Sequence, residues 1–274
     1  MSINYKLICL ETARIARDTG LFVRKKRETS KIEIETKGKN DFVTQFDKEV
    51  EAKLVNELEA LLPEAGFIAE ESTSVKKGEK INWIIDPIDG TTNFIHGLYP
   101  YAISIALIED NEIVAGVIYE VGLDECFYAW KSGQAMLNGK TINVSQQKTL
   151  ADSLVATGFP YTDFGLIDKY MDCLLYFMRN SHGVRRLGSA ATDLAYLACG
   201  RVDAFYEYGL KPWDVAAGAI IVKQAGGKVS DFSGGDNYLF GHEIVATNTN
   251  IYDEFAKAVE KLKVENEEIV SSCI

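Results

Sequence analysis

The chain of 274 residues has few cysteines and prolines, five of each, and it lacks a long hydrophobic run. The cysteines are odd in number and scattered without a Cys-x-x-Cys pair, so the sequence predicts neither a disulfide framework nor a zinc site. No apolar stretch reaches the roughly 18 residues that a membrane span needs, and the first residues do not resemble a signal peptide. We therefore expect a cytoplasmic protein with reduced thiols and no membrane partner.

Positive charge is also scarce, because 29 Lys and Arg stand against 40 Asp and Glu, which gives a formal net charge of −11. This balance argues against a broad binding surface for DNA or RNA, which would need clustered cations. A small phosphorylated molecule is still possible if divalent metal ions reverse the local charge. The hydrophobic content of 47% is ordinary for a folded protein of one large domain or two closely packed lobes.

The most informative stretch runs from Asp86 to Phe94 and reads Asp-Pro-Ile-Asp-Gly-Thr-Thr-Asn-Phe. It follows the apolar run 81–85, which predicts a buried strand that ends at the first acid. Pro87 fixes φ and cannot donate a ladder hydrogen bond, while Gly90 permits a sharp reversal of the chain. Two carboxylates held this close repel each other unless a cation lies between them, and oxygen ligands suit Mg²⁺. The stretch therefore indicates metal-assisted phosphate chemistry.

The periodicity of apolar residues predicts two halves of different character. A helix over about 3–26, a polar loop at 37–41 and a helix ending at Pro63 precede a mostly antiparallel sheet with strands 67–70, 81–85, 102–108, 113–121 and 125–130. After residue 150 the predicted order is strand 154–158, helix 168–178, strand 183–187, helix 190–199, strand 202–208 and helices 213–224 and 252–262. We expect an N-terminal α+β lobe (1–150), a C-terminal α/β lobe (151–274) and a substrate cleft between them.

Two further acids lie at the ends of predicted elements. Glu70 closes the apolar strand 67–69, and Asp214 begins an apolar helix in the segment Lys-Pro-Trp-Asp-Val-Ala-Ala-Gly. Taken alone, Asp214 is most simply a carboxylate that satisfies free amides at a helix N-terminus, and Glu70 is an exposed strand end. Whether they have a function in the site depends on whether the fold brings them close to the acids of the 86–94 stretch.

Residues 66–97, 188–190 and 207–227 together resemble the inositol monophosphatase family, the Mg²⁺-dependent, lithium-sensitive phosphatases. The resemblance joins the 86–94 motif to the separate Trp-Asp-x-Ala-x-Gly block and the downstream pair Gly226-Gly227, in the family's order. Ala69 departs from the pattern, since a glycine often precedes the Glu-Glu pair. The implied fold is a layered αβαβα sandwich of the sugar-phosphatase type, of α+β or α/β class, with a mostly antiparallel N-terminal sheet and a mixed C-terminal lobe.

The resemblance implies a metal site for two or three Mg²⁺ ions. Its ligands would be Glu70, Asp86, Asp89, the backbone carbonyl of Ile88 and, from the second lobe, Asp214. The implied reaction is direct in-line attack of a metal-activated water on the phosphoryl group, without a covalent phosphoenzyme.

The residues that would handle water and phosphate are also implied by the resemblance. Thr91, paired with Asp47, would orient and deprotonate the attacking water, which Glu70 would hold through its metal. Gly90, Thr91 and Thr92 would bind the phosphate through backbone amides and hydroxyls. A hydroxyl that caps a helix is the alternative for Thr91.

The alcohol part of the substrate would lie on a third group of residues. In the resemblance Gly188, Ala190 and Glu207 contact the inositol ring, and Asp89 and Asp214 also line the substrate site. Glu207 is equally compatible with a solvent-facing strand residue, and Gly188 and Ala190 with simple packing choices.

A loop and the helix after it would close over the metals in the implied arrangement. Lys37, Asp41, Thr44 and Asp47 match that segment. Lys37 either shields an ion or is simply solvated.

The implied activity is hydrolysis of myo-inositol monophosphate or a similar polyol phosphate, by a homodimer. Related phosphatases act on fructose 1,6-bisphosphate, 3′-phosphoadenosine 5′-phosphate, NADP or histidinol phosphate, and the metal chemistry does not separate these substrates. Glu207 favours a neutral polyol, because an acid would repel a second phosphate. A different class of function, binding to the transcription machinery or RNA, would use the basic pair Arg185-Arg186, which could equally lie on a dimer surface.

Overall fold

The computed structural model describes residues 3–29, 34–38, 41–74 and 76–262. Within these ranges the helices, numbered α1 to α7 in chain order, are Tyr5–Thr29, Gln45–Leu61, Thr91–His96, Ile167–Asn180, Ala190–Ala198, Pro212–Gln224 and Tyr252–Val259. The strands, numbered β1 to β14, are Ile34–Gly38, Asp41–Thr44, Gly66–Ala69, Ile81–Asp89, Ala102–Glu109, Glu112–Glu120, Glu125–Trp130, Met136–Leu137, Lys140–Thr141, Leu154–Thr157, Gly183–Arg185, Ala204–Tyr208, Gly227–Ser230 and Glu243–Asn248.

The strands form two large sheets and a separate hairpin of β1 and β2. The seven-stranded sheet runs in the order β3-β4-β5-β6-β7-β8-β9 and is antiparallel except for the β3–β4 pair. The five-stranded sheet has the order β11-β10-β12-β14-β13, in which β10 is parallel to both neighbours and β14 is antiparallel to both of its own. The first sheet is therefore mostly antiparallel and the second is mixed, as the sequence predicts.

Helices cover both faces of each sheet and give five layers. α1 and α2 pack on one face of the seven-stranded sheet, α5 and α6 fill the space between the two sheets, and α4 and α7 cover the far face of the five-stranded sheet. Each layer buries an apolar face that would otherwise be exposed to water. The layered αβαβα sandwich of mixed α and β class is thereby confirmed, while the division into lobes at residue 150 stays a prediction.

Close packing of α6 depends on two glycines. A Cβ on Gly116 of β6 would lie 2.7 Å from the carbonyl oxygen of Ala217, and one on Gly218 would lie 2.5 Å from the Leu194 side chain of α5. Larger side chains here would push α6 away from both neighbours. The absence of these side chains lets the start of α6 approach the end of β4, where the acidic motif lies.

Most predicted elements are present, and the errors are local. The helix at 3–26, the helix before Pro63 and the five strands predicted for the first sheet are confirmed within a few residues at their ends, and its two short strands β8 and β9 were not predicted. The polar loop at 37–41 is wrong at both ends, because Lys37 lies in β1 and Asp41 begins β2. The short helix α3 and the strands β13 and β14 were not predicted, because their apolar residues are too few to show a period.

Two expectations from composition concern thiols and membranes. Cys9, Cys126, Cys173 and Cys199 are free, as predicted, and Cys273 lies outside the described residues. Among the described residues, no helix combines the length and the apolar character that crossing a bilayer requires. The cytoplasmic location stays a prediction.

Candidate active site

β4 brings two acids to one place through an irregularity in its pairing. Asp86 pairs with Ser104 of β5, whereas Asp89 pairs with Ala102, so three steps along β4 match only two along β5. Residues three apart in a regular strand point to opposite faces, and the extra residue of a bulge corrects the alternation. The predicted end of the strand at residue 85 is therefore wrong, because the bulge accommodates the proline within β4.

The third acid, Asp214, comes from the first turn of α6. The backbone amide of Lys211 donates to Asp214 Oδ2 at 2.6 Å, so the carboxylate does cap the helix, as the simpler alternative predicted. The same side chain lines the cleft next to the end of β4. A hydrogen bond of 3.0 Å from Ser104 Oγ to the carbonyl oxygen of Trp213 holds the start of α6 against β5. Capping and a role in the cleft are thus compatible.

Carboxylate oxygens of Asp86, Asp89 and Asp214 all lie within 4.8 Å of one another. Burial raises the pKa of Asp89 to about 6 and that of Asp214 to about 7. Burial also raises the pKa of Asp86, and the negative charge of Glu70 adds to the shift. Such a group of like charges is unfavourable without a cation, and a donor set of oxygen atoms alone suits a hard ion. The three residues therefore fit Mg²⁺.

Glu70 and Ile88 line the same cleft as the three aspartates. Glu70 follows β3, and its amide donates to the carbonyl oxygen of Ile85 at 3.2 Å, which continues the β3–β4 pairing up to the acid. Its carboxylate is not part of the group whose oxygens lie within 4.8 Å. All predicted metal residues thus meet in one cleft, and their roles as ligands stay predictions.

Thr91 and Asp47 meet across the cleft wall. Thr91 Oγ1 lies 3.3 Å from Asp47 Oδ1 and 3.0 Å from the carbonyl oxygen of Ile88. The other carboxylate oxygen of Asp47 accepts from Thr44 N at 2.8 Å and from Thr44 Oγ1 at 2.6 Å, in the capping box of α2. Gly90, not Thr91, is the N-cap of α3, so the capping alternative for Thr91 is wrong.

Gly90 allows the end of β4 to approach the start of α5. Its φ of +93° lies in the left-handed region, and a Cβ at this position would come 3.0 Å from the carbonyl oxygen of Gly188. Gly90, Thr91 and Thr92 line the cleft together with Gly188. The chain therefore exposes a turn of backbone to the cleft where the sequence predicts the phosphate.

The cleft has a volume of about 330 Å³. Ala190 and Glu207 line it, and Glu207 is buried, so the alternative of a solvent-facing strand residue is wrong. Among the described residues, seven that line the cleft carry carboxylates and one, Lys211, carries a cation. The acids are Glu70, Asp86, Asp89, Asp163, Asp193, Glu207 and Asp214. Without metal ions the cleft would repel a phosphate.

Two further cations were predicted near the site, and the structure describes the side chain of one of them. Lys37 belongs to β1, and its side chain is outside the described residues. Arg186 is exposed, donates to Tyr161 Oη at 3.1 Å and lies 5.6 Å from the ring centroid of Phe159. It lines a neighbouring surface groove, but its positive charge acts on Glu207 and Asp193 and opposes the rise in the pKa of both carboxyl groups.

The family model described as the inositol monophosphatase family matches residues 8–263. The chain belongs to the inositol monophosphatase family. The resemblance drawn from the three sequence blocks is thereby confirmed, and the bulged strand with its acids is the part of the fold that carries the family motif.

Relatives within the family carry two kinds of name. The chain is 41% identical over 235 residues to a protein of Mesorhizobium japonicum named inositol-1-monophosphatase, with 85% of this chain and 88% of the relative covered. It is 40% identical over 258 residues to the Nus factor SuhB of Escherichia coli K12, with 90% and 97% covered.

Solved structures agree with the fold. The extragenic suppressor protein suhB of Bartonella henselae has a TM-score of 0.86 and 38% identity, with 90% of this chain and 96% of that chain covered. An IMPase of Thermotoga maritima has a TM-score of 0.83 and 35% identity, with 91% and 95% covered.

Sequence reasoning missed two acids of this inositol monophosphatase family member. Asp193 of α5 lines the cleft. Glu51 of α2 accepts hydrogen bonds from the backbone just after Glu70. Glu51 Oε2 accepts from the amide of Glu71 at 2.7 Å, and Oε1 accepts from Thr73 N at 2.7 Å. Both acids lie inside helical patterns, where a polar residue predicts an exposed face. Glu51 stands between the apolar residues Val50 and Ala52, whereas Asp193 lies in a helix that is apolar almost throughout, and these were the sequence signals of burial.

Proposed function

We propose that this chain is a Mg²⁺-dependent phosphomonoesterase that hydrolyses myo-inositol monophosphate, or a similar polyol phosphate, to the free alcohol and phosphate. Membership of the inositol monophosphatase family supports phosphatase activity. The observation that carries the proposal is the convergence of Asp86, Asp89 and Asp214 in a cleft large enough for a small phosphorylated ring.

In the proposed site, different residues bind the metal ions and the phosphate. Asp86, Asp89 and Asp214, with Glu70 and the Ile88 carbonyl, would hold Mg²⁺. When bound, Mg²⁺ neutralises phosphate charge and lowers the pKa of the attacking water. The backbone turn that begins at the glycine of the motif would bind the phosphoryl oxygens and orient phosphorus for in-line attack.

The Thr91–Asp47 pair would receive the proton of the attacking water. Thr91 Oγ1 can accept from water while donating to Asp47 Oδ1, 3.3 Å away. Burial raises the pKa of Asp47, which makes the carboxylate a better proton acceptor near neutral pH. Two donors from Thr44 fix the carboxylate, so its free oxygen faces Thr91.

The charge of the cleft favours a substrate with one phosphate and an uncharged alcohol. Fructose 1,6-bisphosphate, 3′-phosphoadenosine 5′-phosphate and NADP all carry a second phosphate group, which would need cations beyond the metal site. Lys211 is the single cation among the described residues that line the cleft, and the positive charge of Arg186 in the neighbouring groove is already opposed by Glu207 and Asp193. These substrates are therefore disfavoured.

Histidinol phosphate is the second candidate substrate, because its alcohol part carries a positive amine. Glu207 and Asp193 lie in the cleft outside the group of three aspartates and would attract such a charge. A cationic and a neutral alcohol therefore need a direct comparison.

The test is a phosphate-release panel with Mg²⁺. It contains myo-inositol 1-phosphate, histidinol phosphate, fructose 1,6-bisphosphate, 3′-phosphoadenosine 5′-phosphate, NADP and p-nitrophenyl phosphate. We expect the highest kcat/KM for myo-inositol 1-phosphate, inhibition by LiCl and no turnover after EDTA. Higher kcat/KM for a bisphosphate would contradict the polyol assignment, and no turnover of any compound would contradict the phosphatase proposal.

Binding to RNA or the transcription machinery is a weaker candidate, although the name of the Escherichia coli relative, Nus factor SuhB, suggests it. Both members of the basic pair have partners within the chain: Arg185 Nη1 donates to the Val184 carbonyl oxygen at 3.0 Å, and Arg186 donates to Tyr161 Oη at 3.1 Å. We expect no RNA to bind at physiological salt in an electrophoretic shift assay.

We also propose that the chain forms a homodimer, as the family resemblance implies. Met171, Leu175 and Met178 expose their side chains on one face of α4, at spacings of one and two helical turns. A second copy would bury this face. Sedimentation velocity is the test, and Met178→Glu should shift the protein from dimer to monomer.

A further inference from the structure

Asp193 combines deep burial with an oxygen that has no hydrogen-bond partner. The residue is 1% exposed and lies in the first turn of α5. Its Oδ1 has no partner within the described part of the chain, although the residue lines the cleft. A buried carboxylate oxygen without a donor costs free energy, so such an oxygen is expected to receive a donor in some other state of the protein.

The surroundings of Asp193 exclude the simplest structural roles. Ser189, the N-cap of α5, already supplies the hydroxyl that accepts from Thr192 N at 3.2 Å, so Asp193 is not needed as a cap. Asp193 is also outside the group of three aspartates whose oxygens lie within 4.8 Å of one another in the described residues. Neither capping nor the metal cluster explains its presence.

Asp193 and Glu207 act on the same part of the cleft. Burial raises the pKa of Glu207, and the largest contribution from a neighbouring charge comes from Asp193. Both residues line the cavity, and Glu207 is itself only 4% exposed. Burial raises the pKa of both carboxyl groups, so each offers acceptor oxygens to a ligand and, when protonated, one donor. They are complementary to a ligand that presents several hydroxyl groups.

We infer that Asp193 is a specificity-determining residue that accepts a hydrogen bond from a hydroxyl group of the alcohol part of the substrate, beside Glu207. The inference rests on the proposed phosphatase function and narrows its substrate to a polyol phosphate with at least two free hydroxyl groups. Its physical basis is that the substrate hydroxyl satisfies an oxygen for which the described residues supply no donor.

The experiment compares two substrates in Asp193→Ala and Asp193→Asn. myo-Inositol 1-phosphate has free hydroxyl groups, whereas p-nitrophenyl phosphate has none and uses only the metal and phosphate sites. We expect the ratio of kcat/KM for the inositol ester to that for the nitrophenyl ester to fall about tenfold in Asp193→Ala, mainly through KM. Asp193→Asn keeps an acceptor oxygen of the same shape, so it should retain more of the ratio.

Thermal unfolding of the substrate-free protein gives a second readout. Removing a buried acceptor without a partner, as Asp193→Ala does, should leave the melting temperature unchanged or raise it. Asp231→Asn is the matched control. Asp231 is buried outside the cleft and accepts from the amides of Ser233, Gly235 and Asn237. This control should melt at a lower temperature with an unchanged substrate ratio.

The outcomes separate the inference from the function on which it rests. A parallel loss on both substrates, or a melting temperature that falls as in Asp231→Asn, would show that Asp193 is structural and would overturn the inference alone. Turnover of the nitrophenyl ester by the wild-type protein without turnover of any polyol phosphate would overturn both the substrate assignment and the inference. If Asp193→Ala does not fold, the ratio in Asp193→Asn against Asp231→Asn decides the question.

Discussion

The two walls of the cleft use the same functional group, a buried carboxylate, but surround it differently. We call the side formed by Asp86, Asp89 and Asp214 the metal wall, and the side formed by Asp193 and Glu207 the alcohol wall. On the metal wall every aspartate accepts from a backbone amide, at distances of 2.9, 2.7 and 2.6 Å in sequence order. On the alcohol wall, Asp193 Oδ1 has no partner among the described residues.

The presence or absence of an amide donor determines how each wall recognises its ligand. An amide donor fixes the direction of a carboxylate and leaves the remaining lone pairs for a cation, which is how protein groups outside a metal site usually tune its ligands. A carboxylate oxygen without a protein donor takes its direction from the ligand instead. The metal wall is therefore expected to serve every phosphate ester, and the alcohol wall to choose among them.

The largest expected effect comes from the metal wall. Asp86→Asn removes one charge from the three-aspartate group and weakens the Mg²⁺ site, so kcat should fall by at least about 10²-fold on every ester in the panel. Because burial disfavours the ionised form, the variant should remain folded. Phosphate release at saturating Mg²⁺ and circular dichroism measure the two results, with Asp231→Asn as the control. Unchanged turnover would remove Asp86 from the site.

The same contrast explains what could be predicted from the sequence. The acids of the metal wall on β4 are neighbours in sequence, and the chemistry of Asp-Pro-Ile-Asp-Gly is readable without a structure. The bulge was not predicted, because Pro87 normally indicates the end of a strand and its accommodation depends on the register with β5.

The alcohol wall depends on tertiary structure to a greater degree. Asp193 lies in the almost wholly apolar segment Ala190–Ala198, and α5 lies between two sheets and is buried almost throughout. The apolar pattern predicts that the helix is buried, but only the tertiary structure shows that its acid lines the cleft. Glu207 was predicted only through the family resemblance, since a lone acid on a strand normally faces solvent.

The next largest effect concerns Glu51, which holds the backbone that follows Glu70 beside the metal wall. Glu51→Gln weakens two hydrogen bonds that fix the backbone after Glu70, so the Mg²⁺ concentration for half-maximal activity should rise about tenfold. The kcat at saturating Mg²⁺ should change less. A Mg²⁺ titration of phosphate release measures the shift. Glu57→Gln, at a half-buried position of the same helix where the carboxylate pairs with Lys53, is the control. An equal shift in both variants would contradict a positioning role.

A third, smaller effect perturbs the alcohol wall alone. A Cβ on Gly158 would lie 2.0 Å from Glu207 Oε1, so Gly158→Ala must displace the carboxylate. We expect a several-fold rise in KM for myo-inositol 1-phosphate and no change in the Mg²⁺ concentration for half-maximal activity. Steady-state kinetics on both esters measure this. A matching loss on p-nitrophenyl phosphate would mean that the two walls are not independent.

The smallest effect is a pH dependence of stability, which we expect to arise from the metal wall. In the metal-free protein, burial raises the pKa of Asp214 to about 7 and that of Asp89 to about 6, whereas an unfolded chain has aspartate pKa values of about 3.9. At pH values between about 4 and about 7, the folded state therefore binds more protons than the unfolded state. The free energy of unfolding of the metal-free protein should therefore fall as pH rises from about 4 to about 7.

Mg²⁺ should reverse this loss, because the ion stabilises the ionised aspartates that protons would otherwise neutralise. We expect the rise in melting temperature on adding Mg²⁺ to be about 3 °C larger at pH 8 than at pH 5.5, which corresponds to roughly 1 kcal/mol in a protein of this size. Differential scanning calorimetry measures it. Asp214→Asn should reduce the difference between the two pH values, whereas Asp193→Asn should preserve it, because the alcohol wall does not bind the ion. An equal Mg²⁺ effect at both pH values would contradict the assignment of these aspartates to the metal wall.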